Sequence, residues 1–387
     1  MAKQGASEEK EKKHPEAEPK VEPKVELVIE KELTDAERKK IVSEKMKALK
    51  TVLADVEKKY GEGTVMKLGD RPLVRAEVIP TGALCLDLAI GIGGLPKGRI
   101  VEIYGPESGG KTTLALTISR ECQKRGGIVA YIDVENALDP VYARQIGVEV
   151  DDLIFSQPNS AEDALNLVRD LTQSGNVSLI VVDSVTALVP EKEQEGEIGD
   201  SSMGLQARLM SQSLRMLIGE MNKTQTTVIF INQIREKIGV TWGPTETTTG
   251  GRALKFYSSV RLDIRRTESI KVGDGVTGNR TKVKVAKNKV APPFKLAEFD
   301  IIFGKGIDRC SATLDVAEVM KVVDKSGTWY AYNGTKIGQG KNQAIKYLEE
   351  NPVILKEIEA KTRQAYYDKP ENLQLDSKAT TSETASE

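Results

Sequence analysis

Histidine is almost missing from this chain. Its single copy, His14, lies in a Lys/Glu/Pro-rich stretch, which removes Ser-His-Asp triads, HExxH zinc sites and histidine general bases together. Acid–base work must then fall to carboxylates or water. Cysteine is scarce too: Cys85, Cys122 and Cys310 stand far apart, with no CxxC pair and no neighbouring histidine, so they read as reduced, packed thiols. No apolar run approaches the ~20 residues of a membrane span, and the charged N-terminus does not read as a signal peptide. The expected location is cytoplasmic. Nor is there an excess of either charge: a formal net charge of -1 over 387 residues neither demands nor forbids a nucleic-acid partner, because placement decides binding.

What is present, 39% hydrophobic and 29% charged residues, fits a soluble globular protein of roughly two or three domains. From Met1 to about Glu32 the chain mixes Lys, Glu and Pro, a composition that buries too little apolar surface to offset its ordering entropy and is expected to be disordered. The Ser/Thr/Glu-rich end, Asp376 to Glu387, carries the same expectation. Order begins at Thr34, where Thr34 and Glu37 form a capping-box pattern and Leu49, Val52, Leu53 and Val56 repeat at helical spacing up to Gly61. The apolar stripe of that helix packs either on its own core or on a neighbouring protomer.

The central region alternates β-branched runs with helical stretches. Strands are expected at Ile100 to Tyr104, Ile128 to Asp133, Leu153 to Phe155, Leu179 to Asp183 and Val228 to Asn232; helices at Thr112 to Arg125, Pro140 to Ile146, Ala161 to Ser174 and Met203 to Lys223. This pattern implies a mostly parallel sheet with helices on both faces. From Phe256 to Phe303 the chain turns strand-like, with alternating segments Ser259 to Arg265 and Thr281 to Ala286, which should extend the sheet as antiparallel strands. Beyond Ile307 a small separate unit is expected: a helix over Asp315 to Val323, a strand-turn-strand through Trp329 to Gly334, and helices from Asn342 and after Pro352.

One stretch fixes a chemistry. Gly105-Pro106-Glu107-Ser108-Gly109-Gly110-Lys111-Thr112 is a complete GxxxxGK[ST] loop between the first strand and a helix running on from Thr113. Glycines let backbone N–H groups converge on phosphate oxygens, and the helix presents its positive end to the same anions. Lys111 would reach the β and γ phosphates of a nucleoside triphosphate, and the Thr112 hydroxyl would sit on Mg²⁺. Asp183 closes the apolar strand Leu179 to Asp183, which suits a carboxylate beside Mg²⁺ or a cap for the next turn. Glu135, just past Asp133, is the best general-base candidate in a chain without a usable histidine, against the alternative of a glutamate exposed in a loop. Gln233, ending another strand, is placed to sense the γ-phosphate.

These residues belong to long strings, GPESGGKTTLAL, YIDVENALDP, LIVVDSV, GEIGDSSMGLQAR, FINQIREKIGV, TTTGG, VRLDIRR and KNKVAPPFK. Through them the chain, from roughly Lys40 to Tyr366, resembles the bacterial RecA family of recombinases. The resemblance implies an α/β P-loop NTPase core of RecA type and a DNA-dependent ATPase. Such a protein forms a helical filament on single-stranded DNA and exchanges strands with homologous double-stranded DNA; stimulation of a LexA-type repressor's self-cleavage in the SOS response is implied as well. It further implies that Asp139 and Tyr142 contact adenine, that Gln233 couples the γ-phosphate to DNA, and that Lys287 and Lys289 reach the neighbouring protomer's ATP. Two segments resemble the family's DNA-binding loops, 195–204 and 233–251. Their expected contributors are Met203, with Arg208 and Arg215 on the following helix, and Arg235, Lys237, Ile238, Gly250 and Gly251.

The domains expected are an extension over 1–33, an N-terminal oligomerisation helix and strand over 34–72, the ATPase core over 73–307, a small C-terminal domain over 308–368 and a tail over 369–387. The chain departs from the common family pattern at Asn136, where many members carry histidine, and at Trp242 and Gly243-Pro244-Thr245-Glu246 in the second loop.

Overall fold

The computed structural model describes residues 34–61, 65, 77–197, 204–236, 245–273 and 275–368. The expectations for the 1–33 extension, the strand before residue 73 and the 369–387 tail lie outside them. The chain divides into two compact units, 1–74 and 75–387.

In the first unit α1 (Asp35–Tyr60) starts where the sequence places it. Glu37 N donates to Thr34 Oγ1 and Thr34 N to Glu37 Oε2, at 3.4 and 3.1 Å, a reciprocal cap that satisfies two donors with no partner inside the helix. The helix has no buried residue, and Val42 and Val52 are about half exposed.

The second unit opens with β1 (Val78–Ile79), α2 (Leu84–Ile90) and β2 (Leu95–Pro96). An alternating series follows: β3 (Ile100–Gly105), α3 (Lys111–Gln123), β4 (Ile128–Asp133), α4 (Pro140–Ile146), β5 (Ile154–Ser156), α5 (Ala161–Gln173) and β6 (Val177–Asp183). Next come α6 (Glu191–Gln194), α7 (Leu205–Thr224), β7 (Thr227–Glu236), β8 (Glu246–Thr248) and α8 (Ala253–Tyr257). The long hairpin of β9 (Val260–Val272) and β10 (Gly275–Asn288) leads into β11 (Leu296–Ile302) and β12 (Gly306–Ile307). The C-terminal part holds α9 (Arg309–Val319), β13 (Asp324–Ser326), β14 (Trp329–Tyr332), β15 (Thr335–Gln339), α10 (Lys341–Glu350) and α11 (Pro352–Asp368).

The main sheet runs β12-β11-β10-β9-β3-β7-β6-β4-β5. It is parallel from β9 to β5 and antiparallel from β9 to β12, the extension expected from the sequence. Alternation along the buried strands sorts side chains to two cores. Val101, Ile103, Val129, Tyr131, Val181 and Ile231 face the helices α2, α3 and α4, whereas Ile100, Ala130, Ile132, Ile180, Val182 and Phe230 face α5, α7 and α8. Burial on both faces explains why these strands read as continuous apolar runs. A third apolar cluster joins α9, β14, β15, α10 and α11.

The sequence misplaced one helix. α9 begins at Arg309, six residues before the expected start, because Asp308 caps it by accepting from Ser311 N at 2.9 Å, and it ends at Val319 rather than Val323. The short α2 and α8 carry too few turns to show a helical period, and both escaped sequence reading.

Candidate nucleotide and DNA site

The C-terminal ends of β3, β4, β6 and β7 meet at one edge of the parallel sheet, where open α/β sheets bind ligands. Register places Gly105 beside Gln233 and Asp133 beside Asp183. Residues distant in sequence thus arrive together because their strands pair.

The cradle is shaped by its neighbours. A Cβ on Gly105 would lie 2.0 Å from the Ile264 carbonyl oxygen on β9, and Gly110 has φ 95° with Ile301 Cδ1 2.5 Å from the Cβ it lacks. Sheet packing and backbone twist therefore require glycine here before any ligand does. Lys111 folds back, its Nζ donating to the Gly105 and Pro106 carbonyls at 3.1 and 2.8 Å. Burial lowers the pKa of this ammonium, against the opposing pull of Asp183, Glu135 and Glu107.

Thr112 Oγ1 donates to Asp183 Oδ2 at 2.9 Å, and the Tyr131 hydroxyl donates to the same oxygen at 2.7 Å. Burial raises the Asp183 pKa in spite of those two donors. Among the described residues no cluster of three or more His, Cys, Asp or Glu could hold a metal. The pair Thr112 and Asp183 nevertheless fits Mg²⁺, which takes one or two hard protein oxygens and fills its octahedron with phosphate and water.

Beyond β4 the chain is tied to the same place: Val134 N and Glu135 N both donate to the Asp183 carbonyl, at 2.7 and 3.2 Å. Glu135 is exposed, and its Oε1 accepts from Ser184 Oγ and, at 3.2 Å, from Gln233 Nε2. Gln233 is held in turn, its N donating to Asn232 Oδ1 at 2.9 Å, while Asn232 Nδ2 donates to Glu102 Oε1 and to the Thr249 carbonyl at 3.1 and 3.0 Å. Glu102, fully buried, also binds Arg261, whose guanidinium lies 4.4 Å from the Tyr104 ring centroid.

A cavity of about 210 Å³ opens beside the cradle, lined by Ser108 to Thr113, Tyr142, Asn279, Thr281, Ile301 and Phe303. Tyr142 OH lies 2.7 Å from Thr113 Oγ1. Asp139 uses Oδ1 to cap α4, accepting from Val141 N at 2.8 Å. Asn279, Thr281 and Phe303 were missed by sequence reading; they lie about 170 residues or more beyond the cradle, and only the pairing of β10 with β9 and β11 brings them to it. Among the described residues the buried Asn279 Oδ1 has no hydrogen-bond partner, and a buried acceptor is normally paired.

The remaining expected residues are spread more widely. Lys287 Nζ donates to the Lys255 and Phe256 carbonyls at 2.6 and 3.0 Å, and Lys289 Nζ to the Phe256 carbonyl at 3.3 Å, so α8 holds both. Burial, then the neighbouring Lys289 and Arg261, lower the Lys287 pKa. Arg208 and Arg215 are exposed on α7, and Arg235 is exposed opposite Thr247 on β8. Gly250 and Gly251 are closely packed: their missing Cβ atoms would lie 2.9 Å from Val185 Cγ1 and 2.8 Å from Ala207 Cβ. Met203, Lys237 and Ile238 lie outside the described residues.

Known families match this arrangement. The RecA N-terminal domain matches residues 47–308 and the RecA C-terminal domain residues 311–367. The chain belongs to the RecA family. Protein RecA of Clostridium beijerinckii is 58% identical over 326 residues, 84% of this chain and 90% of that protein. Protein RecA of Bifidobacterium breve is 60% identical over 316 residues, 82% and 81% of the two chains. The crystal structure of the RadB recombinase covers 59% of this chain and 98% of that one, with 25% identity and a TM-score of 0.46. As a RecA family member the chain is a DNA-dependent ATPase of recombinational DNA repair that binds ATP and DNA and assembles into filaments.

Proposed function

We propose that ATP binds along the cradle with its γ-phosphate between Lys111 and Glu135, and that DNA reaches this chemistry through Gln233. The observation that carries this is the 3.2 Å hydrogen bond from Gln233 Nε2 to Glu135 Oε1. It joins the carboxylate best placed to activate water with the first residue of the second DNA-binding segment.

In this reading the backbone from Gly105 to Gly110 wraps the phosphates, and Lys111 leaves its carbonyl partners for the β and γ oxygens. Thr112 and Asp183 would hold Mg²⁺, which would neutralise charge on the phosphates. Tyr142 stacks on adenine, Asp139 reaches its exocyclic amine, and Asn279 accepts from a donor of the nucleotide. Glu135 takes a proton from the attacking water. Lys287 and Lys289 move from α8 to the ATP of the next protomer, where positive charge lowers the barrier.

Arg208, Arg215, Arg235, Lys237 and the N–H groups of Gly250 and Gly251 would meet phosphates, with Met203 and Ile238 against bases; this chemistry makes binding sequence-independent and salt-sensitive. The exposed apolar stripe of α1 would pack on a neighbouring protomer, with 73–307 as the ATPase core and 308–368 as a separate small domain. A cytoplasmic location and stimulation of a LexA-type repressor complete the proposal.

The test is ATP turnover with and without single-stranded DNA, measured together with joint-molecule formation between homologous strands. Stimulation by DNA and joint molecules, both abolished in Lys111→Ala, are expected. A Lys111→Ala protein that still exchanges strands would contradict the role given to the cradle.

A further inference from the structure

Tyr131 sits in the middle of β4, facing α3 among Val129, Val181 and Leu116, and is 1% exposed. Phenylalanine would fill the same space without burying a hydroxyl. A buried tyrosine oxygen needs a partner, and here the partner is Asp183 Oδ2, 2.7 Å away. That oxygen already accepts from Thr112 Oγ1 at 2.9 Å, and Asp183 is itself 7% exposed.

Both donors therefore converge on one carboxylate oxygen, and among the described residues no hydrogen bond to Asp183 Oδ1 is found. The two donors differ in what else they must do. Thr112 stands at the start of α3, where its hydroxyl has a cation to serve as well. Tyr131 is fixed in the sheet, its backbone paired in register with Val181 two residues before Asp183, and among the described residues its hydroxyl makes no other hydrogen bond.

We propose that Tyr131 is a positioning residue: its hydroxyl fixes the Asp183 carboxylate in the orientation that leaves Oδ1 open to the divalent cation. The inference rests on reading Asp183 as the metal-side carboxylate. Outer groups that hold a metal-binding carboxylate typically change metal affinity by about 10–100-fold when removed. Tyr131→Phe removes one oxygen and keeps the packing, which makes it the sharpest variant.

The experiment is titration of the full chain with Mn²⁺ in the presence of ADP, free Mn²⁺ being read from its electron paramagnetic resonance signal. ADP affinity in EDTA and the melting temperature are measured beside it. Tyr131→Phe should bind Mn²⁺ about 10-fold more weakly, with ADP affinity in EDTA and melting close to wild type. In turnover, the Mg²⁺ concentration for half-maximal rate should rise while the rate at saturating Mg²⁺ is retained. Wild-type Mn²⁺ affinity in Tyr131→Phe, with weak binding in Asp183→Asn, would overturn the role of Tyr131 alone. Wild-type Mn²⁺ affinity in Asp183→Asn would overturn the metal reading beneath it.

Discussion

The glycine-rich cradle, Gly105 to Thr112, and the return leg of the proposed second DNA-binding segment, from the end of β8 through Thr249 to Gly251, both lie beside the same sheet edge. They differ in what confines them. The cradle glycines are pressed by the sheet extension, Gly105 by the Ile264 carbonyl on β9 and Gly110 by Ile301 on β11. The return leg instead leans on the segment after β6 and on α7: Gly250 packs on Val185, two residues past Asp183, and Gly251 on Ala207 of α7. The Thr249 carbonyl is held by Asn232, the neighbour of Gln233, and Thr186 Oγ1 lies 3.3 Å from Thr249 Oγ1. The cradle is thus part of the frame of the sheet, whereas the return leg is fastened to β7 at Asn232 and to the segment that follows Asp183 at the end of β6.

The largest effect should come from the chemistry both regions share. Glu135→Gln keeps the shape and removes the base, so phosphate release should fall about 10²–10⁴-fold with and without DNA, while equilibrium ATP binding stays near wild type. An effect confined to the DNA-stimulated rate would move Glu135 from the cradle side of the comparison to the loop side.

Crowding the return leg should separate the two regions. Ala207→Leu adds methyl groups where Gly251 packs, an overpacking of about 1–3 kcal/mol. Stimulation by single-stranded DNA should fall about 10-fold, the equivalent of roughly 1.4 kcal/mol, with turnover in the absence of DNA unchanged. Equal loss in both conditions would show that the return leg supports the cradle as well.

The smallest effect concerns the frame itself, at the far end of α3. Glu121 is 7% exposed and binds Arg120, Lys124 and Arg125 at 3.1, 3.4 and 3.0 Å. Burial alone would raise its pKa, but the three cations outweigh it and hold the carboxylate below its ordinary 4.5. A folded-state pKa below the unfolded one gives stability that is present above about pH 4.5 and is lost as pH falls through the folded value. Glu121→Gln should cost about 1–2 kcal/mol at neutral pH, measured by denaturant unfolding. Its difference from wild type should shrink on acidification.

Much of this was legible in the sequence. The α/β alternation, the cradle, Asp183 at a strand end and Glu135 beyond β4 all follow from local pattern, because apolar runs, glycines and carboxylates at fixed spacing carry them. What was hidden depends on register. Asn279 and Phe303 reach the cavity only through pairing of β9, β10 and β11, and the Glu102, Asn232 and Arg261 network joins three strands far apart in sequence. Tyr131 lies in the expected strand Ile128 to Asp133 but was not singled out, because its hydroxyl acquires meaning only when β4 and β6 lie side by side. α9 was misplaced because a side-chain cap at Asp308 sets its start at Arg309, six residues before the helix expected from the sequence.

The proposed action of DNA on ATP runs through Gln233. It is tested most directly by Gln233→Ala, taking the ratio of steady-state phosphate release with saturating single-stranded DNA to that without it, at a salt concentration where DNA binding is verified independently. The expected result is a ratio that collapses towards one although DNA is bound. A ratio equal to that of the wild-type protein would contradict it and send the coupling through another route from the second segment to Glu135.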